Sequence, residues 1–192
     1  MNNIKEKLKG SFPEIETARL LLRKVKMEDA ADIFRYLSDP EVTKYYGLEP
    51  FADLEDARSE IGWYERILKE GTGVRWGISL KGGKELIGSC GFLNMDSGHF
   101  RADIGLELDP AYWNQGIGTE AIGAIIRYGF ENLNLMRIQA LIEPANLQSQ
   151  RLFGKCGFIR EGLLRNYEYT CGKFDDLLMF SIINPDHLGL GS

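Results

Sequence analysis

Histidine is nearly absent from this chain: there are two, His99 and His187, among 192 residues. A pair so sparse and so far apart excludes a histidine-built zinc site and a Ser-His-Asp triad, and both read as surface loop residues. Cysteine is scarce too. Cys90, Cys156 and Cys171 are widely separated and no Cys-x-x-Cys occurs. An odd, scattered set fits reduced thiols in a cytoplasmic protein rather than a disulfide framework, and no metal is expected. No apolar run approaches the roughly 20 residues that a membrane span needs. The opening MNNIKEKLKG is charged and has no apolar centre, so no signal peptide is expected. Positive charge is not in excess: 23 Lys and Arg stand against 28 Asp and Glu, a net charge of −5. That balance disfavours a nucleic-acid partner and suits a cationic substrate. Repeats, low-complexity tracts and linkers are also missing. With 44% hydrophobic and 27% charged residues, the chain reads as one domain over 1–192.

What is present is an alternation of two periodicities. Arg19–Val25 reads as a strand, and MEDAADIFRYLSD keeps helical spacing at Ala30, Ile33, Phe34 and Leu37 until Pro40. EVTKYYGLEPF reads as a loop. Leu54–Glu70 places Ala57, Ile61, Tyr64, Ile67 and Leu68 on one helical face, ending near Gly71. Val74–Leu80 and Leu86–Asn94 are strands joined by the hairpin segment KGGKE. Ala102–Asp109 alternates Ile104, Leu106 and Leu108 against Asp103, Gly105, Glu107 and Asp109, and Pro110 closes it. A helix over Gly118–Asn132, a strand over Met136–Glu143 and a helix over Leu147–Lys155 follow. Two last strands, Ile159–Glu168 and Phe174–Ile183, are joined by TCGK. Hairpins together with one β-α-β crossover imply a mixed α+β sheet.

The segment WNQGIGTEA, Trp113–Ala121, sets two glycines at a helix start, where backbone N–H groups invite a phosphate. A P-loop is excluded, because no lysine follows Gly118. Gly116, Gly118 and Ala121 also spell the dinucleotide-binding GxGxxA, with Glu143 placed 22 residues beyond Ala121 to hold a ribose. Against it, the six residues PAYWNQ separate Asp109 from Gly116, whereas that fingerprint starts at the strand tip.

LELDPAYWNQGIGTEAI resembles motif A of the GNAT superfamily of acetyl-CoA-dependent N-acetyltransferases, with Trp113 where the family carries Gln or Arg. WNQGIGTEA is similar to the RimJ/RimL-like branch in particular. NLQSQRLFGKCGF (Asn146 to Phe158) resembles that branch's Asn-x-x-Ser…Lys-x-Gly-Phe segment. ETARLLLRKVKMEDAADIFRYLSDPEVTKYYG and GKFDDLLMFSI resemble its opening and closing elements.

The resemblance implies a GNAT-type fold over about 16–183, with a mostly antiparallel mixed sheet of about seven strands and about four helices. It implies acetyl-CoA as cosubstrate, a primary amine as acceptor, and strand edges of a kind that pair in homodimers. Backbone N–H groups of Gln115, Gly116, Ile117, Gly118 and Thr119 would hold the pyrophosphate. Leu106 and Leu108 would pair with the pantetheine arm, the Leu108 N–H polarising the thioester. Glu107 is the candidate base, against a plain solvent-facing strand glutamate, with Asp103 and Asp176 as alternatives. Phe153 stands where many members carry an acidic tyrosine, which leaves Ser149, one turn earlier, as candidate acid. Asn146 either caps its helix or reaches the pantetheine arm, or does both, and Lys155 either approaches the phosphates or is merely exposed. Tyr45, Tyr46 and Tyr167 would line the acceptor pocket. The acceptor expected is a protein N-terminal α-amine, as on a ribosomal protein. The alternatives are a small amine such as a polyamine, amino acid or drug, or a CoA-binding module without turnover.

Overall fold

The computed structural model describes residues 12–187; the opening MNNIKEKLKG lies outside them. Eight strands form one sheet: β1 (Ile15–Glu16), β2 (Leu20–Arg23), β3 (Val74–Leu80), β4 (Gly88–Asp96), β5 (Arg101–Leu108), β6 (Arg137–Ile142), β7 (Ile159–Thr170) and β8 (Lys173–Ile183). Their spatial order is β1-β2-β3-β4-β5-β6-β8-β7. Every neighbouring pair is antiparallel except β5 and β6. Five α-helices accompany it: α1 (Ala30–Leu37), α2 (Pro40–Thr43), α3 (Leu54–Glu70), α4 (Ile117–Glu131) and α5 (Leu147–Lys155).

The two faces of the sheet differ because strand residues alternate. Val74, Trp76, Ile78, Cys90, Phe92 and Ile104 pack with Ile122 and Ile125 of α4. Gly129 of α4 has no room for a side chain, since a Cβ there would lie 2.8 Å from Phe92 Cζ. A second apolar cluster joins α1 and α3 through Ile33, Tyr36, Leu37, Ala57, Ile61, Tyr64 and Leu86. Helix α3 is bounded as its ends dictate. Asp53 caps Glu55 and Asp56 N–H groups at 2.8 and 3.2 Å, and Gly71 closes the helix in a left-handed conformation (φ 76°).

Three details depart from the sequence reading. The EVTKYYGLEPF segment begins inside α2, because the Asp39 side chain accepts the Glu41 N–H at 2.9 Å and Pro40 is pre-set for a helix's first turn. The two-residue β1 raises the strand count to eight and α2 the helix count to five; neither is long enough to carry a periodic signal. The dinucleotide reading fails on topology. Its crossover, β5-α4-β6, does join parallel strands, but every other neighbouring pair among the described strands is antiparallel, whereas that fold repeats the parallel unit.

Candidate active site

The site begins where two strands part. β5 and β6 pair only through Arg101 with Arg137, Ala102 with Ile138 and Asp103 with Gln139. Gln139 Nε2 donates to Asp103 Oδ1 at 2.7 Å, and Asn94 to its other oxygen at 2.8 Å. Asp103 is thus a tie at the closed end. Asp176, the other alternative, accepts the Asn166 N–H in the last hairpin.

Beyond Asp103 the strands diverge. The Asp109 N–H donates to Ile87 O at 2.8 Å. In an antiparallel ladder that places Leu108 opposite Gly88, and Leu106 opposite Cys90, in the pairs that exchange no hydrogen bonds. The backbone N–H and C=O groups of Leu106 and Leu108 therefore turn from β4 into the gap. The Trp113 indole takes the Leu108 carbonyl at 2.7 Å, tying the following loop to the strand end.

That loop reaches α4 through two left-handed residues, Asn114 (φ 59°) and Gly116 (φ 76°). Gly116 is the helix N-cap and makes no side-chain cap, so the first N–H groups of α4 remain available to an anion, with the helix dipole behind them. A Cβ on Gly118 would stand 3.0 Å from Leu106 Cδ2, which seats the helix end on the strand. Gln115 turns away: its amide donates to Ala111 O at 2.8 Å, and its carbonyl accepts from Arg19 at 2.9 Å.

A cleft of about 590 Å³ opens over this junction. Gly116, Ile117, Gly118 and Thr119 line it together with Leu106, Glu107 and Leu108 of β5. Asn146, the α5 residues Ser149, Phe153 and Lys155, and Tyr45 and Tyr46 complete the lining named from sequence. Gln115 and Tyr167 are not among the lining residues. Tyr167 lies exposed on β7 beside Leu163 and Asn166. Sequence reasoning passed over Glu41, Tyr112 and Arg151, which also line the cleft. Arg151 was legible, since it sits one turn before Lys155 on the same helix. Asn146 both caps α5, accepting the Ser149 N–H at 3.0 Å, and faces the cleft. Phe153 packs edge-on against Phe158, with ring centroids 5.0 Å apart.

Glu107 is not a solvent-facing strand residue. Its side chain is 1% exposed, and it is ion-paired with the fully buried guanidinium of Arg75. Ser89, its cross-strand neighbour, donates to Glu107 Oε2 at 2.6 Å and accepts from Arg75 Nη2 at 2.7 Å. The Tyr64 hydroxyl lies 3.3 Å from Ser89 Oγ, and the Tyr46 phenol feels the Glu107 charge. Burial pushes both phenols well above their usual range, so they stay protonated and able to donate. Glu60 on α3 borders this group. Burial, and then the Glu107 charge, raise its carboxyl to about 7. Sequence reading gave none of Arg75, Ser89, Tyr64 and Glu60 a place in the site, Tyr64 being read only as part of an apolar helix face; a lone arginine inside an apolar strand was the available signal.

The cysteines are free thiols, and burial pushes Cys90 up to about 12, which makes it inert. Among the described residues, no group of three or more His, Cys, Asp or Glu is placed to hold a metal, and no helix is long and apolar enough to cross a membrane. Glu143, the ribose-binding candidate, is not among the cleft residues and faces Asp175 and Lys173.

Comparison with known proteins agrees with this geometry. Residues 19–159 match the family model described as an acetyltransferase (GNAT) domain. An uncharacterized N-acetyltransferase, p20 of Bacillus licheniformis, is 43% identical over 90% of this chain and 97% of its own. The [ribosomal protein uS5]-alanine N-acetyltransferase of Escherichia coli is 26% identical over 93% of this chain and 95% of its own. Among solved structures, a GNAT-family acetyltransferase from Bacillus anthracis superposes with a TM-score of 0.79 at 29% identity, covering 90% of this chain and 99% of that one. An uncapped helix start beside a splayed strand pair, and a match over most of the chain, lead to one assignment: this protein is an acyltransferase of the GNAT acetyltransferase family.

Proposed function

We propose that the protein transfers the acetyl group of acetyl-CoA to a protein N-terminal α-amine, by direct attack within a ternary complex. The observation that carries this reading is one cleft that brings two chemistries together. Its lining joins an anion-binding helix start and two basic side chains, Arg151 and Lys155, to Glu107, Glu41, Tyr45 and Tyr46.

The residues fit acetyl-CoA as follows. Backbone N–H groups from Gly116 to Thr119 receive the pyrophosphate, while Arg151 and Lys155 supply positive charge to the remaining phosphate. The pantetheine arm lies in the gap beside Leu106 and Leu108 as an added strand, with Asn146 across from it. The Leu108 N–H is then the donor to the thioester oxygen as negative charge develops there.

The amine nitrogen attacks the thioester carbonyl, the C–S bond breaks, and CoA leaves as a thiolate. Ser149 is the side chain positioned to protonate that sulfur; a thiol of pKa about 8.5 also leaves tolerably as the anion. The amine must shed a proton. An α-amine, with pKa about 8, is neutral to roughly a tenth near pH 7, whereas a lysine amine is neutral to less than about a tenth of a per cent. A carboxylate is therefore sufficient for an N-terminus. Glu107 is almost wholly covered, so the proton reaches it through the Tyr46 hydroxyl or a water. The similarity to the uS5-alanine enzyme supports the same acceptor class.

A second reading, a small cationic amine as acceptor, is favoured by the acidic side chains of the cleft, Glu41 and Glu107. Thiol release from acetyl-CoA tests the two. Short peptides beginning with Ser, Ala or Met are compared with spermidine, free amino acids and aminoglycosides. Release confined to peptides is the expected result. Release with spermidine alone moves the protein to the second reading, and silence with acetyl-CoA bound leaves an acceptor outside the panel or a binding module.

A further inference from the structure

We propose that Arg19, just ahead of β2 and distant in sequence from the glycine loop, is a positioning residue that aims the loop's first N–H at the phosphates of CoA. The inference rests on the acetyl-CoA reading above.

Three contacts carry it. Arg19 Nη1 donates to the Gln115 carbonyl at 2.9 Å. A peptide unit is planar and trans, so the carbonyl of one residue and the N–H of the next point in opposite directions. Arg19 is not among the cleft residues whereas Gly116 is. Drawing the Gln115 carbonyl outward to Arg19 therefore turns the Gly116 N–H inward.

The second contact concerns charge. Glu120 lies in the first turn of α4, an anion placed beside the spot where phosphates must bind. Arg19 Nε donates to Glu120 Oε2 at 2.7 Å. The Arg19 backbone N–H and the Thr17 hydroxyl donate to Oε1 at 2.8 and 2.6 Å. The carboxylate is thus paired with a cation and accepts three hydrogen bonds from the Thr17–Arg19 segment. Without Arg19, its charge would oppose the incoming phosphates through the same helix start that attracts them.

The third is steric. Gly116 holds φ 76°, and a Cβ there would stand 3.4 Å from Arg19 Nη2. The guanidinium packs in van der Waals contact beside the loop whose carbonyl it binds, so the loop is held before the ligand arrives, and less ordering is left to bind it.

The test is calorimetric titration of CoA, which requires no acceptor, into the full chain and three variants. Arg19→Ala is expected to raise the CoA Kd about tenfold or more, equivalent to about 1.4 kcal/mol, with the loss shrinking in 0.5 M salt. Adding Glu120→Gln to Arg19→Ala is expected to restore part of the affinity by removing the unpaired charge. Arg19→Lys keeps a cation without the fork and gives an intermediate loss; it also stands in if the alanine variant does not fold. A merely structural arginine would lower the melting temperature and leave the CoA Kd alone. A Kd within twofold of wild type in both Arg19 variants overturns the inference while leaving the acetyl-CoA reading in place. A wild-type protein that binds no CoA overturns both.

Discussion

The Glu107 carboxylate is held by a guanidinium, Arg75, that reaches it from two strands away, and the two side chains expose 1% and 0% of their surface. Arg75 Nε and Nη1 have no hydrogen-bond partner in the structure, so the pair is not a fully compensated one. Burying ions costs several kcal/mol each, and an excellent geometry is needed to offset it. The arrangement is therefore expected to serve the reaction more than the fold. Arg75→Met alone should destabilise the protein by about 3–5 kcal/mol, because it strands a buried carboxylate. Arg75→Met with Glu107→Leu should recover most of that loss, and should still abolish acetyl transfer. Urea unfolding and thiol release on the two variants check this. A double variant that keeps turnover would remove Glu107 from the mechanism.

Glu60 gives the stability a definite pH dependence. Its carboxyl is raised from 4.5 to about 7, first by burial and then by the Glu107 charge. Between those values the folded protein holds a proton that the unfolded chain has released. The group's stabilising contribution is present in full below about 4.5 and is lost as pH rises through about 7. Glu60→Gln should remove that slope. Relative to wild type, the variant should gain on the order of 1–3 kcal/mol between pH 5 and pH 8. Urea midpoints at the two pH values decide it, and parallel pH curves for the two proteins would contradict the shift.

Local signals made much of the scaffold legible. The helix over Leu54–Glu70, the strand over Val74–Leu80 and the helix over Leu147–Lys155 are found where periodicity, caps and glycines place them. Gly116 and Gly118 marked the loop for two reasons: Gly116 takes a left-handed turn before an uncapped helix, and Gly118 seats that helix close on Leu106. What was illegible depends on long-range pairing. The partners of Glu107 come from β3, β4, α3 and the loop after α2, so no spacing in the sequence brings Arg75, Ser89, Tyr64 and Tyr46 together. Alternation put Glu107 on the polar face of β5. It could not tell that helices α1 and α3 cover that face.

Phe153 and Ser149 test whether a proton donor to the leaving thiolate matters. Both line the cleft one turn apart on α5. Ser149→Ala should lower kcat by about tenfold or less, since a thiol of pKa about 8.5 departs with little help. Phe153→Tyr adds a hydroxyl on the same helix face and should restore turnover in the Ser149→Ala background. Its cost in stability is expected below about 1.5 kcal/mol, because the ring keeps its volume. Steady-state kinetics across pH 7 to 9 read this out, with the Ser149→Ala deficit narrowing at high pH if that variant makes leaving-group departure slower. A Ser149→Ala variant indistinguishable from wild type at every pH would leave the thiolate to depart unaided.

Gly105 probes the acceptor end without touching the CoA end. It lies in β5 directly across from Gly91, on the face that carries Glu107. A Cβ at Gly105 would stand 3.2 Å from Arg75 Nη1 and 3.3 Å from the Tyr46 hydroxyl. Both groups would have to yield by a few tenths of an ångström; Arg75 binds the Glu107 carboxylate, and the Tyr46 phenol is electrostatically coupled to it. Gly105→Ala should therefore disturb proton removal from the amine. The amine KM should rise, or kcat fall, by about tenfold for a misplacement of this size. The CoA Kd should not change, because the helix start at Gly118 is seated on the Leu106 side chain, on the face of β5 opposite Gly105 and Glu107. Paired kinetics and CoA titration separate the two ends. Equal losses at both would mean that the methyl distorts the strand as a whole; no loss at either would show that the amine does not depend on the coupling between Tyr46 and Glu107.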